Sequence, residues 1–66
     1  MAVVKVIEIL AEGKSIEDAI NVAVKEASRT VKNIRSVYLK DTQALIKGNK
    51  VDSYRVNTKI SFVVGK

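Results

Sequence analysis

The sequence predicts a small α+β domain, in which a three-stranded antiparallel sheet of β-α-β-β order carries one helix packed on one face. Three observations support this fold class. A short opening stretch is rich in Val and Ile, the next segment has apolar residues at helical spacing, and two long stretches then flank Gly48-Asn49. Strands alternate apolar and polar side chains, whereas helices repeat them every three or four residues. The chain of 66 residues is short enough to be a single domain, residues 1–66.

The first strand is predicted at "AVVKVIEIL", ahead of the turn-forming "AEGK". Both of its side-chain parities are largely apolar: Val3, Ile7 and Ile9 on one, and Val4, Val6 and Leu10 on the other. This pattern predicts a strand that is covered on both faces.

The helix is predicted within "SIEDAINVAVKEASRTV". Ser15 with Asp18 three residues later resembles a capping box, and Glu17 and Asp18 supply the negative charge that a helix start favours. An apolar stripe at helical spacing predicts the buried side: Ile16, Ile20, Ala23, Val24, Ala27 and Val31. The alanines at 19, 23 and 27 are predicted to permit a close approach to a sheet. Lys25, Arg29 and Lys32 are predicted to lie late in the helix, where positive charge is favoured.

Two long strands are predicted to form a hairpin around Gly48-Asn49, because a tight turn needs residues that accept a positive φ. The earlier strand places Val37, Leu39 and Leu45 on one parity, with Ser36, Tyr38, Lys40 and Thr42 on the other. The pattern breaks near Asp41, which predicts a bulge there. The later strand alternates fully: Tyr54, Val56, Ile60, Phe62 and Val64 on the apolar side, and Ser53, Arg55, Asn57, Lys59 and Ser61 on the polar side.

A chain of this size buries only about 60% of the surface that it exposes when unfolded, so its core needs reinforcement. The sequence has no Cys, which excludes disulfides and zinc-thiolate sites. It also has no His, which argues against a transition-metal site. One helix also cannot cover two faces of a sheet. We therefore expect a homo-oligomer in which the second face packs against other subunits.

The formal net charge is +5, which makes nucleic acid a candidate partner. The cations are scattered along the sequence without a run, so a solvated basic surface is the preferred interpretation and no nucleic-acid partner is expected. The apolar N-terminus carries Lys5 and Glu8 and lacks the features of a signal peptide. No segment has the roughly 20 apolar residues of a membrane span. We expect a soluble, cytoplasmic protein without a membrane partner.

Catalytic residues are not predicted. There is no Cys or His nucleophile or base and no glycine-rich phosphate loop, and the adjacent acids Glu17 and Asp18 are explained by capping. Arg55, in the middle of the polar side, is interpreted first as an exposed arginine or a partner in an ion pair between subunits. A second interpretation is a contact to a ligand with imide, carboxylate or phosphate groups, which a guanidinium suits. Tyr38 is more often a packing residue than a stacking platform.

The whole chain resembles the dodecins, through "KVIEI" in the first strand, "SIEDAINVAVKEASRTVKNI" in the helix and "YRVNTKISF" in the hairpin. Dodecins assemble as hollow dodecamers with flavin pockets between subunits. The resemblance implies a homododecamer and a non-enzymatic protein that stores or sequesters a small ligand. The implied ligand-binding residues are Ser36, Tyr38 and Arg55.

Two positions depart from the flavin-binding pattern. Ser36 stands where those dodecins have the tryptophan that stacks on the isoalloxazine ring, and Arg55 stands where they have a glutamine. We therefore expect weak binding of riboflavin, FMN or FAD. One branch of the family binds calcium, for which Asp41 is the proposed ligand, with Glu8 and Asp52 as further carboxylates. Two more hypotheses stay open, a purely structural assembly and a basic scaffold that binds nucleic acid.

Overall fold

The structure, a computed structural model, describes residues 2–65. Its elements are strand β1 (Val3–Gly13), helix α1 (Ile16–Ala27), strand β2 (Ile34–Lys47) and strand β3 (Lys50–Val64). The strands form one antiparallel sheet in the order β1-β3-β2, so that β3 pairs with both of its neighbours. The predicted fold class is confirmed. The β2–β3 hairpin continues beyond the end of β1, which gives the chain its elongated shape of 50 × 19 × 13 Å.

Helix α1 begins where the sequence predicts and ends earlier. The Ser15 hydroxyl accepts a hydrogen bond from the Asp18 backbone N–H at 3.0 Å, so the predicted cap is confirmed. The helix ends at Ala27, which places Lys25 in its last turn and leaves Arg29 and Lys32 outside it. The prediction that all three lie in the helix is wrong for those two residues.

The core lies between one face of the sheet and a row of three alanines on the helix. Ala19, Ala23 and Ala27 are the buried residues of the helix, whereas Ile16 of the predicted stripe is 40% exposed. Small side chains at this spacing allow the helix backbone to approach the sheet closely. The predicted close approach at these three alanines is confirmed. The fully buried stripe is rotated from the predicted apolar stripe, because it includes Ala19 and leaves Ile16 exposed.

The apolar side of β3 faces this helix, as predicted. Val56 and Ile60 are fully buried, and so is Thr58 between them, which the sequence pattern does not include in the core. The Thr58 hydroxyl donates a hydrogen bond to the Ile9 carbonyl oxygen at 2.7 Å. A buried hydroxyl is tolerated here because it has this partner.

The hairpin turn and the predicted bulge are both confirmed. Gly48 and Asn49 have φ values of 59° and 64°, and the pairing register shifts between Leu39 and Asp41. The shift adds one residue to β2, which reverses the side-chain parity beyond it. Leu45 consequently pairs with Ser53 on the sheet face away from the helix. Its predicted parity, shared with Val37 and Leu39, is wrong.

Strand β1 is covered on one face only within a single chain. Val4, Val6 and Leu10 project from the face away from the helix and are 58%, 56% and 62% exposed. The prediction of cover on both faces is thus not met by one chain alone. Among residues 2–65, no helix has the length and apolar character that crossing a bilayer requires.

Candidate functional site

The sheet face away from the helix, called the open face here, carries polar side chains in rows that run across the three strands. Directly paired residues of neighbouring strands point to the same side of a sheet, so the register defines each row. From one end to the other, the rows are Val6–Ser61–Ser36, Glu8–Lys59–Tyr38, Leu10–Asn57–Asp41 and Glu12–Arg55–Gln43.

Ser36 and Tyr38 occupy the first two rows. The Ser36 hydroxyl lies 2.6 Å from the Ser61 hydroxyl, a short hydrogen bond between β2 and β3. Tyr38 is 66% exposed and pairs with Lys59. Its ring is available to a partner or ligand, whereas the Ser36 hydroxyl already has a partner within the chain.

Arg55 lies in the fourth row and forms an ion pair with Glu12, its direct neighbour on β1. Both Nε and Nη2 of Arg55 contact the same Glu12 oxygen, Oε2, at 2.9 and 2.8 Å. Arg55 therefore forms its ion pair within one chain, whereas the ion pair considered from the sequence joins two subunits. Because two nitrogens of the guanidinium are occupied, fewer of its donors remain for a ligand.

A hollow of about 420 Å³ opens on the third and fourth rows. Its walls are formed by six residues: Leu10, Asp41, Thr42, Gln43, Arg55 and Asn57. A volume of this size is within the range of small-molecule sites. The hollow combines one apolar side chain with amide, hydroxyl and charged groups, a mixture suited to a polar organic molecule.

Asn57, at the centre of this region, has an unusual feature. Its Oδ1 atom is buried and has no hydrogen-bond partner among the described residues. A buried acceptor left without a donor costs about 1–3 kcal/mol. Such a cost is removed if the Asn57 side chain turns outward and a neighbouring molecule supplies an N–H or O–H group to it.

The structure brings some of the predicted site residues together and separates others. Asp41 and Arg55 line the same hollow. Ser36 pairs with Ser61, however, which is six residues along β3 from Arg55. At about 3.3 Å per residue this separation is roughly 20 Å. Within one chain, Ser36 and Arg55 therefore cannot contact the same small ligand.

The carboxylates considered for calcium are also spread out. Asp41 pairs with Asn57, and Asp52 lies near the hairpin turn, about five residues further along β3. Glu8 is instead 3.6 Å from the Lys40 ammonium. Within residues 2–65, no group of three or more Asp, Glu, His or Cys side chains is placed to hold a metal ion.

Sequence reasoning missed several residues of this face. The sequence pattern assigns Glu12 to a turn, although it is the partner of Arg55, and it assigns Gln43 to no site. Thr42 also lines the hollow, although it pairs with Val56 and so belongs to the face under the helix. Their positions follow from the register between strands that are distant in sequence. The charge complementarity of Glu8 and Glu12 on β1 with Lys59 and Arg55 on β3 is the signal that could have found them.

Comparison with known families decides the relationship of this chain. The sequence model of the Dodecin family matches residues 3–65, nearly the whole chain. The chain belongs to the dodecin family. No curated protein matches this dodecin significantly.

Solved structures with the same fold include proteins from Thermus thermophilus and from two Streptomyces species. The crystal structure of the tt0972 protein from Thermus thermophilus has a TM-score of 0.90 and 22% identity, and the alignment covers 100% of this chain and 98% of that one. A dodecin from Streptomyces davaonensis has a TM-score of 0.87 and 17% identity, with 98% and 97% covered. The dodecin from Streptomyces coelicolor gives 0.87 and 20%, with 98% and 94% covered. At these identities the comparison establishes the fold.

Proposed function

We propose that this dodecin is a non-enzymatic, homo-oligomeric protein that binds and stores a small ligand in pockets between its subunits. The open face is the observation that carries the proposal. It leaves Val4, Val6 and Leu10 largely exposed beside rows of polar residues. A face of this mixed character is suited to burial against other subunits, with polar pockets left between them.

Assembly would supply what the single chain lacks. The core of one chain consists mainly of three alanines and a few residues of the sheet, which is little for a stable domain. Packing the open faces of neighbouring subunits together would remove the exposed β1 valines from water, at about 25 cal/mol for each Å² buried. We expect a dodecamer, the assembly that the family resemblance implies.

The separation of Ser36 and Arg55 supports a pocket built from more than one subunit. A ligand that contacts all three predicted residues would take Ser36 and Tyr38 from one subunit and Arg55 from another. The exposed Tyr38 ring would then be the aromatic surface of the pocket. Asn57 lines the same hollow as Arg55. Its Oδ1, which has no partner among the described residues, would be a hydrogen-bond acceptor next to Arg55 in that pocket.

We propose that flavins bind weakly in such a pocket. The Ser36 hydroxyl provides no ring to stack on, and it already bonds Ser61. The Nε and Nη2 donors of the Arg55 guanidinium already bind the Glu12 carboxylate. A solved variant of the T. thermophilus dodecin replaces a tryptophan with phenylalanine, whereas this chain contains no tryptophan. Stacking contributes about 0.5–1.5 kcal/mol for each aromatic pair beyond the buried area.

Quenching of flavin fluorescence tests this proposal, because an aromatic ring stacked on isoalloxazine quenches its emission. The native protein should quench riboflavin or FMN weakly or not at all. Ser36→Trp with Arg55→Gln should gain binding, and adding Glu12→Gln should increase it, because the new amide would no longer be held by the Glu12 carboxylate.

Control variants distinguish the effect of the stacking residue on flavin binding from an effect of changed assembly. Ser36→Trp alone should give part of the gain, and Arg55→Gln alone should give none. Tight quenching by the native protein would contradict the assignment of Ser36 and Arg55. So would a triple variant that keeps the native assembly size but binds no flavin.

Calcium is the second candidate ligand, and one observation favours it. Asp41 faces Asn57 across the strand pair, and the buried Asn57 Oδ1 is an oxygen without a partner among the described residues. Calcium takes six to eight oxygen ligands, so further ligands would have to come from other subunits or water. Loss of calcium binding in Asp41→Asn, with Asp52→Asn unchanged, would identify this site.

A further inference from the structure

The positive charge of the chain is concentrated at one end of the fold. Five exposed cations lie around the end of helix α1 and the start of the sheet, and we call them the basic end: Lys5, Lys25, Arg29, Lys32 and Arg35. In sequence they are spread over 31 positions, which is why the linear pattern is scattered. The fold gathers them.

The strand register defines this grouping. Lys5 on β1 and Ile34 on β2 both pair with Phe62 of β3, so the two flanking strands are about 10 Å apart at this level. Arg35 follows Ile34 directly, at a register shift. The Asn33 carbonyl oxygen accepts a hydrogen bond from the Val63 N–H at 3.1 Å, which holds the loop with Lys32 at the same end.

Few carboxylates balance these cations. Glu26 is the acidic residue of the basic end, and it pairs with Arg29 at 3.3 Å between side chains that are 62% and 72% exposed. Exposed pairs of this kind contribute little. The other two ion pairs of residues 2–65 lie on the open face.

The remainder of the described chain is electrically neutral. Apart from the five cations of the basic end and the neighbouring Glu26, residues 2–65 contain six Lys and Arg residues and six Asp and Glu residues. The net charge of residues 2–65 therefore comes from the basic end alone. The preference of helix C-terminal ends for positive charge does not explain the clustering of these five cations, because only Lys25 among them lies in the last turn of the helix.

We propose that the basic end binds the phosphate backbone of duplex nucleic acid, a function beyond ligand storage. A cluster of exposed Lys and Arg without nearby carboxylates is the electrostatic footprint of backbone binding. The aromatic residue at the level of the basic end, Phe62, is buried. It offers no exposed ring on which unpaired bases could stack, which favours a duplex over a single strand. The apolar side of the helix packs on the sheet, so the helix has no apolar face to insert into a membrane.

A filter-binding titration with a 20-base-pair DNA duplex of mixed sequence tests the proposal at two salt concentrations. The native protein should bind, and its affinity should fall steeply as salt rises. Lys5→Gln, Lys32→Gln and Arg35→Gln together should lower the affinity about tenfold or more and reduce the salt slope by about 3 for each subunit in contact. Lys25→Gln, Arg29→Gln and Lys32→Gln, all outside the sheet, form a second triple variant with the same expected loss.

A matched control has the same change in net charge at other places: Lys14→Gln, Lys47→Gln and Lys50→Gln. It should keep affinity within about threefold of the native protein, because long-range charge is screened over about 10 Å in ordinary buffers. Light scattering verifies that every variant keeps the native assembly size. Equal losses of duplex affinity in the basic-end variants and in the control variant would overturn the proposal. No duplex binding near 0.1 M salt, tighter binding of a single strand, or binding only to phosphatidylserine vesicles would overturn it too.

Discussion

At the scale of single residues, the fold depends on a few positions where no other side chain fits well. Gly13 ends strand β1, immediately before the helix. A Cβ atom added there would lie 2.5 Å from the Ala19 backbone nitrogen and 2.9 Å from the Asp18 carbonyl carbon. Both are backbone atoms of the helix start, which cannot move aside as a flexible side chain could. Gly13 thus permits the close contact between the helix and the sheet.

Gly13→Ala should destabilise the protein by about 1–3 kcal/mol, the usual cost of overpacking a close contact. Thermal or chemical denaturation at a fixed protein concentration measures this change, since oligomer stability depends on concentration. Gly48→Asn is the comparison. A Cβ there meets nothing within 4 Å, and Asn tolerates its positive φ. An equally large loss in both variants would contradict the steric explanation.

At the scale of elements, the β2–β3 hairpin extends past β1 and carries an unfavourable charge pair at its tip. Lys47 and Lys50 pair directly across the two-residue turn, and like charges in directly opposed positions destabilise a strand pair. Next to them, Ile46 and Val51 are 61% and 54% exposed. The tip is therefore not optimised for the stability of a single chain.

Lys47→Glu should raise the free energy of unfolding by about 0.2–1 kcal/mol, because it replaces a repulsive pair with an attractive one. The gain should shrink as salt is added. Lys47→Glu combined with Lys50→Glu restores like charges and should remove it. If the single variant is less stable than the native protein in low salt, then the tip has another electrostatic partner, such as a carboxylate of a neighbouring subunit.

The elements also show where sequence reasoning succeeds and where it stops. The Ser15 cap, the Gly48-Asn49 turn and the alternation of β3 depend on neighbours in the sequence, and all are predictable. The parity of Leu45 is not, because one extra residue near Asp41 reverses every side chain beyond it. Alternation places Thr58 on the same side as Val56 and Ile60, but its polar side chain keeps it out of the predicted core. Its burial depends on the hydrogen bond from its hydroxyl to the Ile9 carbonyl oxygen, a contact between strands that the pattern does not show.

The candidate site is less predictable than the fold. Ser36, Tyr38 and Arg55 lie on the open face, as alternation along each strand suggests. Asp41 lies there too, but only because of the register shift between Leu39 and Asp41. Which of them lie close together depends on the register between strands that are distant in sequence. That register pairs Arg55 with Glu12 and places Ser36 roughly 20 Å from Arg55. The basic end arises in the same way, from segments that are brought together only by the fold.

At the scale of the whole molecule, the exposed valines, the separated site residues and the Asn57 oxygen have one common explanation. Each would be resolved by neighbouring subunits packed on the open face. The core of a single chain is small, and the sequence contains no cysteine to reinforce it with a disulfide, so a stable isolated subunit is not expected. We therefore expect self-assembly to contribute more to the stability of this dodecin than any single side chain.

Native mass spectrometry of the purified protein tests this central claim most directly. We predict a homo-oligomer of many 7.2 kDa subunits, with twelve as the expected number. Any small molecule or ion that co-purifies would appear as an added mass and would identify the ligand. A folded species at the 7.2 kDa monomer mass, stable at micromolar concentration, would contradict the claim.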